Sequence, residues 1–290
     1  MRRIRSTIVR AVVGATVVAG SMAIFTPAAW AITIPVACGP NPEQALVDAV
    51  NLANSTSAAD TLVLAAGCTY VMTSPHGGSL LTGLDALPVI TTPIEMIGPA
   101  TITRSALLPF RIAEVGTTGS LTLTTSVALT NGSALGDGGA ILNHGAVTLT
   151  NSSLGGNSAT GNGGGLANAD TPSGTAPAAT FTRSPVSGNT ALLNGGGIYN
   201  GLRGTLTTTG VSGSPLFITA NTAALGGGIA AVSSTATTLT QTAVTTNNAL
   251  LGAGGVYRVG GTMTTTSSPI SANTPNNCVG SAPAVPNCTG

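Results

Sequence analysis

The chain has 290 residues, 42% of them hydrophobic and only 6% charged, and past residue 31 it keeps five arginines, no lysine and eight carboxylates. A nucleic-acid partner is excluded, because no cluster of positive charge remains to displace counterions from a phosphate backbone. A disordered chain is excluded as well, since disorder couples low hydrophobicity to high net charge and this sequence has neither.

The N-terminus places Arg2, Arg3, Arg5 and Arg10 ahead of an apolar run over 11–25, followed by Pro27 and the small-residue pattern Ala29-Trp30-Ala31. These three regions in order predict a secretory signal peptide over 1–31, cleaved after Ala31, and hence a secreted, extracellular protein. A permanent anchor fits less well: the run falls short of about 20 apolar residues and is broken by Gly14, Gly20 and Ser21. Cys38 is not a lipidation site, because it lies beyond the cleavage point and Pro35 spoils the aliphatic position. No second apolar span occurs downstream, so the mature chain is expected to have no stable membrane span.

The first predicted element after the leader is a capping helix over 41–55. Asn41 is the N-cap, Pro42 the first helical residue and Glu43 and Gln44 complete the first turn, with Leu46, Ala49, Val50 and Ala53 on one face. The segments "ADTLVLAAGCTYVMT", "LPVITTPIEMIGPATITRS" and "PFRIAEVG" are strand-rich but less regular, and read as the first coils of the repeat region downstream. Four cysteines in an exported chain make disulfides the default, and of the three possible pairings sequence proximity favours Cys38–Cys68 and Cys278–Cys288. No Cys-x-x-Cys occurs and the only histidines are His76 and His144, so no metal or cofactor is expected.

From about residue 120 to 275 the sequence repeats itself. Asparagine recurs at 131, 157, 189, 221, 247 and 273, and three positions before each stands Ala128, Leu154, Val186, Ile218, Val244 or Ile270. A second mark is a glycine pair followed by an aliphatic, as in "GGAI" at 138–141, "GGGI" at 195–198 and 226–229 and "GGV" at 254–256. A third is Leu149, Phe181, Leu206, Leu239 or Met263 among threonines, with Leu123 in the same role upstream. Each repeat thus offers three short strand-like segments with one clear inward residue apiece. Three such strands cannot bury an apolar face alone, but stacked coils pair each strand with its counterpart one turn on. Antiparallel hairpins would need turns every 8–12 residues, and a Thr, Gly, Ser and Asn-rich repeat does not favour helix. The reading is an all-β parallel β-helix domain over 32–275 with a disulfide-closed tail at 276–290. Gly and Asn supply the corners, and Asn at equivalent corners can stack in register. Two long intervals hold insertions, "NADTPSGTAPAA" at 168–179 and "TTTGVSGSP" before Leu216.

"GGAI" at 138–141 followed by Leu154-x-x-Asn157 resembles the repeat pair of chlamydial polymorphic outer-membrane proteins. The whole chain, with its capping helix and "DTLVLAAGCTY", is similar to secreted proteins of high-GC actinobacteria that share the pectate-lyase-like fold. The resemblance implies a right-handed coil. Leu, Val or Ile replaces the family's aromatic residue, and no autotransporter barrel is recognised after the repeats, so self-anchored display is not implied.

Many such folds cleave polysaccharides, using carboxylates on Ca²⁺ with a basic residue, or a pair of carboxylates. No Asp or Glu occurs after Asp170, which leaves Arg111, Glu114, Asp137 and His144 as catalytic candidates that could meet on one face. A second candidate is non-catalytic. Residues flanking an inward strand position point outward. Thr122 and Thr124, Thr148 and Thr150, Thr180 and Thr182, Thr205 and Thr207, Thr238 and Thr240, and Thr262 and Thr264 should therefore form two ladders. The expectation is a secreted, monomeric, non-catalytic scaffold for an extracellular polysaccharide or cell-surface component. A polysaccharide lyase or hydrolase is the alternative, and binding of ice or an ordered polymer through the threonines a third.

Overall fold

The computed structural model describes residues 30–79, 81–169 and 176–290. The expected signal segment therefore lies outside the described residues except for Trp30 and Ala31, as does the middle of the 168–179 insertion. Among the described residues no helix is long and apolar enough to cross a membrane.

The chain winds as a parallel β-solenoid. Its widest sheet has nine strands, from Thr33–Val36 through Asp60–Leu64, Pro93–Ile97 and Ala146–Thr150 to Thr262–Thr266, every pairing parallel. An eight-stranded sheet runs from Cys68–Met72 to Ile270–Ser271, a five-stranded one from Ser133–Ala134 to Asn248–Ala249, and a six-stranded one from Ala113–Val115 to Val256–Val259. One regular coil visits them in that order: Ala146–Thr150, Ser153–Gly155, Ser158–Ala159, Leu166–Asn168, then Ala178–Thr182 back in the wide sheet. The regular coil thus has four strands rather than the three expected. The extra two-residue strand hid in the segment between Asn and the glycine pair, where one small inward residue (Ala134, Ala159, Ala191, Ala223, Ala249) is all that marks it. The one antiparallel pair among named strands is a hairpin, Gly77–Ser79 with Gly83–Asp85.

The core is a set of stacked columns. Ile141, Leu166, Ile198, Ile229 and Val256 form one, and Leu129, Leu154, Val186, Ile218, Val244 and Ile270 another, all buried. Each fully buried aliphatic contributes about 2 kcal/mol of transfer free energy. The column partner on the first regular rung is Leu129, not Ala128, and the position equivalent to Asn157 is Gly132 rather than Asn131. Asn131 instead turns a corner at φ 58° and reaches Thr103 Oγ1 at 3.0 Å.

Beneath that corner the remaining asparagines stack as the repeat implied. Asn157, Asn189, Asn221 and Asn247 each donate Nδ2 to the next Oδ1 at 2.9–3.0 Å, and the series continues through Asn273 to Asn277. Each Oδ1 also accepts from the preceding asparagine's backbone N–H, and each Nδ2 also donates to a carbonyl of an earlier rung, as Asn189 does to Leu154. A second ladder, Asn143–Asn168–Asn200, ends on Thr237 Oγ1. The glycine pairs have two separate causes. Gly195 takes φ +67°, and a Cβ on Gly196 would meet the carbonyl oxygens of Thr222 and Gly227 at 2.4 and 2.5 Å, because successive rungs touch there through backbone.

The ends are closed differently. Helix α1 (Pro42–Asn54) is capped by Asn41 and buries Leu46, Val47, Ala49, Val50 and Ala53 over the first coil, with Cys38–Cys68 beside it. The strand Thr33–Val36 precedes it in the wide sheet, an element that sequence reasoning did not find. At the other end Cys278–Cys288 closes a tail held by Arg258, which donates to the carbonyls of Gly260, Gly261 and Ala284.

Candidate functional site

The outward residues of the wide sheet form two unbroken columns. Thr122, Thr148, Thr180, Thr207, Thr238 and Thr264 are register partners, and so are Thr124, Thr150, Thr182, Thr209, Thr240 and Thr266. Partners within a column stand one strand spacing apart, about 4.8 Å, and the two columns are separated by two residues of extended chain, about 6.6 Å. Thr264 Oγ1 lies 3.3 Å from Thr238 Oγ1. Beside them runs a third column of small residues, Ser120, Ala146, Ala178, Thr205, Ala236 and Thr262.

Two of the expected pairs are displaced by one outward position. Thr205 and Thr262 belong to the small-residue column, and Thr207 and Thr264 carry the ladder with Thr209 and Thr266. The spacing misled because it treats Leu206 and Met263 as equivalents of Leu149. They register instead with Val147, Ala179 and Thr237, while Thr208 and Thr265 occupy the column of Leu149, Phe181 and Leu239. These buried threonines keep their hydroxyls satisfied, Thr208 on Thr242 Oγ1 at 2.8 Å and Thr265 on Pro286 O at 2.8 Å. The three threonines 207–209 accordingly belong to the strand, and the insertion is the loop 210–215.

Upstream the first column continues through Glu95, Thr61 and Thr33, and the second through Ile97, Val63 and Pro35. Glu95 accepts from Thr124 Oγ1 at 3.2 Å and is the one charge in these columns, which contain no aromatic ring. The six threonine rungs are a lattice of hydroxyls and methyls without charge.

The four polar candidates do not assemble into one open site. Arg111 is wholly buried, with Nη1 2.8 Å from Asp85 Oδ1 and 3.4 Å from Glu114 Oε2, and Nη2 donating to Thr82 O. Burial pushes the Asp85 carboxyl up to about 7; Arg111 partly offsets this and the charge on Glu114 adds to it. Asp85 was not among the sequence candidates, since nothing in "GLDA" marks it. Asp137 and His144 line a crevice with Leu81, Thr82, Gly136, Leu142 and Ala169, and Arg111 reaches it only from beneath, through the Thr82 carbonyl. Asp137 Oδ1 accepts from Asn162 N and Nδ2 at 2.7 and 3.1 Å and so begins a third corner ladder, which Asn194 continues. His144 Nδ1 donates to Ala169 O at 2.7 Å. These contacts give the candidates structural duties.

One further cluster looks like a nucleophile with its base. Ser74 Oγ is 3.2 Å from His76 Nε2, which is 3.0 Å from Glu43 Oε1. A relay needs the serine and the carboxylate on opposite ring nitrogens, and here both meet Nε2. The group acts as a latch between α1 and residues 73–76. No group of three or more His, Cys, Asp or Glu suited to a metal occurs among the described residues. Compared with known proteins, the chain matches no family model, no curated protein and no solved structure.

Proposed function

We propose that the protein is a secreted, non-catalytic binding scaffold whose working surface is the threonine face, and that this face docks on an ordered, hydroxyl-bearing lattice. The carrying observation is the pair of six-threonine columns in register. A rigid sheet holds its side chains in place before contact, so little conformational freedom is lost on binding. Threonine presents a methyl and a hydroxyl together, which suits a surface that is itself a periodic array of hydroxyl and carbon, such as a crystalline polysaccharide; ice offers the same hydroxyl periodicity. Without aromatic rings the face has no platform for stacking a single sugar chain, which favours a solid over a soluble oligosaccharide. The leader-like N-terminus, the two disulfides and the likeness of the repeat marks to surface-displayed proteins support an extracellular setting. Polysaccharide cleavage is the weaker reading, because Arg111 and Glu114 are engaged with each other below the surface.

The test replaces Thr148, Thr207 and Thr238, three members of one column, by lysine. Outward strand positions tolerate charge, so the circular dichroism spectrum should not change. The unaltered protein should co-sediment with microcrystalline cellulose or chitin, or reshape growing ice crystals, and the triple variant should lose that activity. Failure of the unaltered protein in all three assays would overturn the proposal.

A further inference from the structure

A second periodic surface is apolar. After each short strand of the five-stranded sheet the chain steps outward before the glycine turn, and the residues there are Leu135, Thr160, Leu192–Leu193, Ala224–Leu225 and Leu250–Leu251 on successive rungs. Hydrogen bonds between rungs hold them in line: Leu192 N to Ala159 O, Ala224 N to Leu193 O and Leu250 N to Ala223 O, at 2.9–3.0 Å. Leu135, Leu192, Leu193, Leu250 and Leu251 are 48–78% exposed. Leu225 lies over Gly252, where a Cβ would meet its Cδ2 at 2.5 Å. The fold does not require these leucines, since Thr160 and Gly161 form the equivalent corner one rung away.

We propose that this edge is the interface of a homodimer in which two copies pack antiparallel, related by a two-fold axis through the Leu192–Leu193 rung. Three properties of the ridge fit a second copy. The five exposed leucines present on the order of 600 Å² of apolar surface, at the top of the range for a monomer's largest patch. Pairing two such ridges would cover roughly 1,200 Å², the lower bound for a specific interface, before any flanking contact is included. The rungs of both copies repeat at the same spacing of about 4.8 Å, so side chains that interlock on one rung interlock on all of them. The pattern is also complementary under that axis. Leu250–Leu251 of one copy meets Leu135–Gly136 of the other, and Ala224–Leu225 meets the small Thr160–Gly161, as an isologous contact demands. Asp137, the charge next to Leu135, is carried to opposite ends of the pair, whereas a parallel arrangement would set the two carboxylates side by side.

In the order of the coil the five-stranded sheet is separated from the threonine sheet by another sheet on either side. The dimer therefore leaves both threonine faces open. It does not depend on what those faces bind.

Light scattering behind size exclusion on the exported protein should give twice the mass of one chain, and Leu193→Arg, at the axis, should give a single chain with unchanged circular dichroism. Both native disulfides are formed and no cysteine is free, so an introduced thiol reports alone. Leu192→Cys should cross-link to its own copy under mild oxidation. Leu250→Cys should not, but should cross-link to Leu135→Cys when the two are mixed. A monomeric native protein would overturn the proposal, with co-sedimentation on phosphatidylcholine vesicles then identifying a lipid surface as the occupant. Persistence of the dimer in Leu193→Arg, or equal self-linking at 192 and 250, would overturn it too. Should Leu193→Arg fail to fold, the cross-linking pattern decides by itself.

Discussion

Asp85 has no exposed surface, and its Oδ2 has no hydrogen-bond partner while Oδ1 takes Arg111. In the unfolded chain its carboxyl ionises near 3.8, and in the fold only near 7. Between about pH 4 and 7 the folded protein thus holds a proton that the unfolded one has released, so stability from this site falls as pH rises across that window. Amide exchange over 77–85, corrected for intrinsic rates, should speed up on going from pH 5 to pH 8, and Asp85→Asn should remove the dependence. Glu43 behaves with the opposite sign. Partial burial pushes its carboxyl up, but hydrogen bonds from Thr73 Oγ1, His76 Nε2 and the Ser74 amide and hydroxyl outweigh that and hold it down at about 2. Its contribution is complete above the ordinary carboxylate value of 4.5 and is lost as pH falls towards 2. Acid should therefore release α1 ahead of the regular rungs, and Glu43→Gln should reproduce that release at neutral pH, as exchange of the helix amides would report.

At the scale of the element, the asparagine ladder is the most exposed to single changes. Asn221 accepts from the amide N–H and Nδ2 of Asn189 and donates to Val186 O and Asn247 Oδ1, all buried. Asn221→Ala leaves those groups unpaired on both neighbouring rungs and should cost about 3 kcal/mol in urea unfolding, against about 1 kcal/mol for Asn131→Ala, which loses only an exposed hydrogen bond and asparagine's tolerance of a positive φ. The alternation of inward and outward strand positions has its own test. Ile198→Asp puts an unpaired carboxylate in an aliphatic column and should cost several kcal/mol, on the order of a severe core lesion, while Thr207→Asp should stay within about 0.5 kcal/mol. The ladder and the columns were legible because asparagine, glycine pair and aliphatic each recur at a fixed spacing. What the spacing could not supply was register inside a strand. Leu206 and Met263 look like Leu149, yet two core positions point inward on each of these strands, and threonine can take either one when a hydroxyl partner is near. That ambiguity displaced two threonine pairs, and the extra strand was missed because a lone alanine carries no periodic signal. Asp85 was illegible for a different reason, since its partners Arg111 and Glu114 reach it only through stacking.

For the whole molecule, stability accumulates from rung to rung, so the terminal rungs decide when unravelling starts. Cys38–Cys68 closes a loop of 30 residues, worth about 3.6 kcal/mol to the folded state. Cys38→Ser should therefore admit exchange and proteolysis at the α1 end while amides near Ile198 stay protected. Uniform loss of protection would show instead that the coil unfolds as one unit.

The asparagine ladder also has a consequence for how such a chain changes over generations. From Asn221 to Asn247 to Asn273 the step is 26 residues, and every link is the same pair of groups. In a tandem duplication of one step, for instance residues 222–247, Asn247 precedes Thr222 as Asn221 does, and in its deletion Asn221 takes the place of Asn247 before Asn248, so a ladder asparagine stands at the junction either way. The chain can lengthen or shorten by recombination in whole units, with the two capped ends untouched, and each unit adds or removes one rung of threonines. Copy number then becomes a heritable dial for the reach of the face, as a variant with that segment duplicated would show by keeping its fold and gaining one rung.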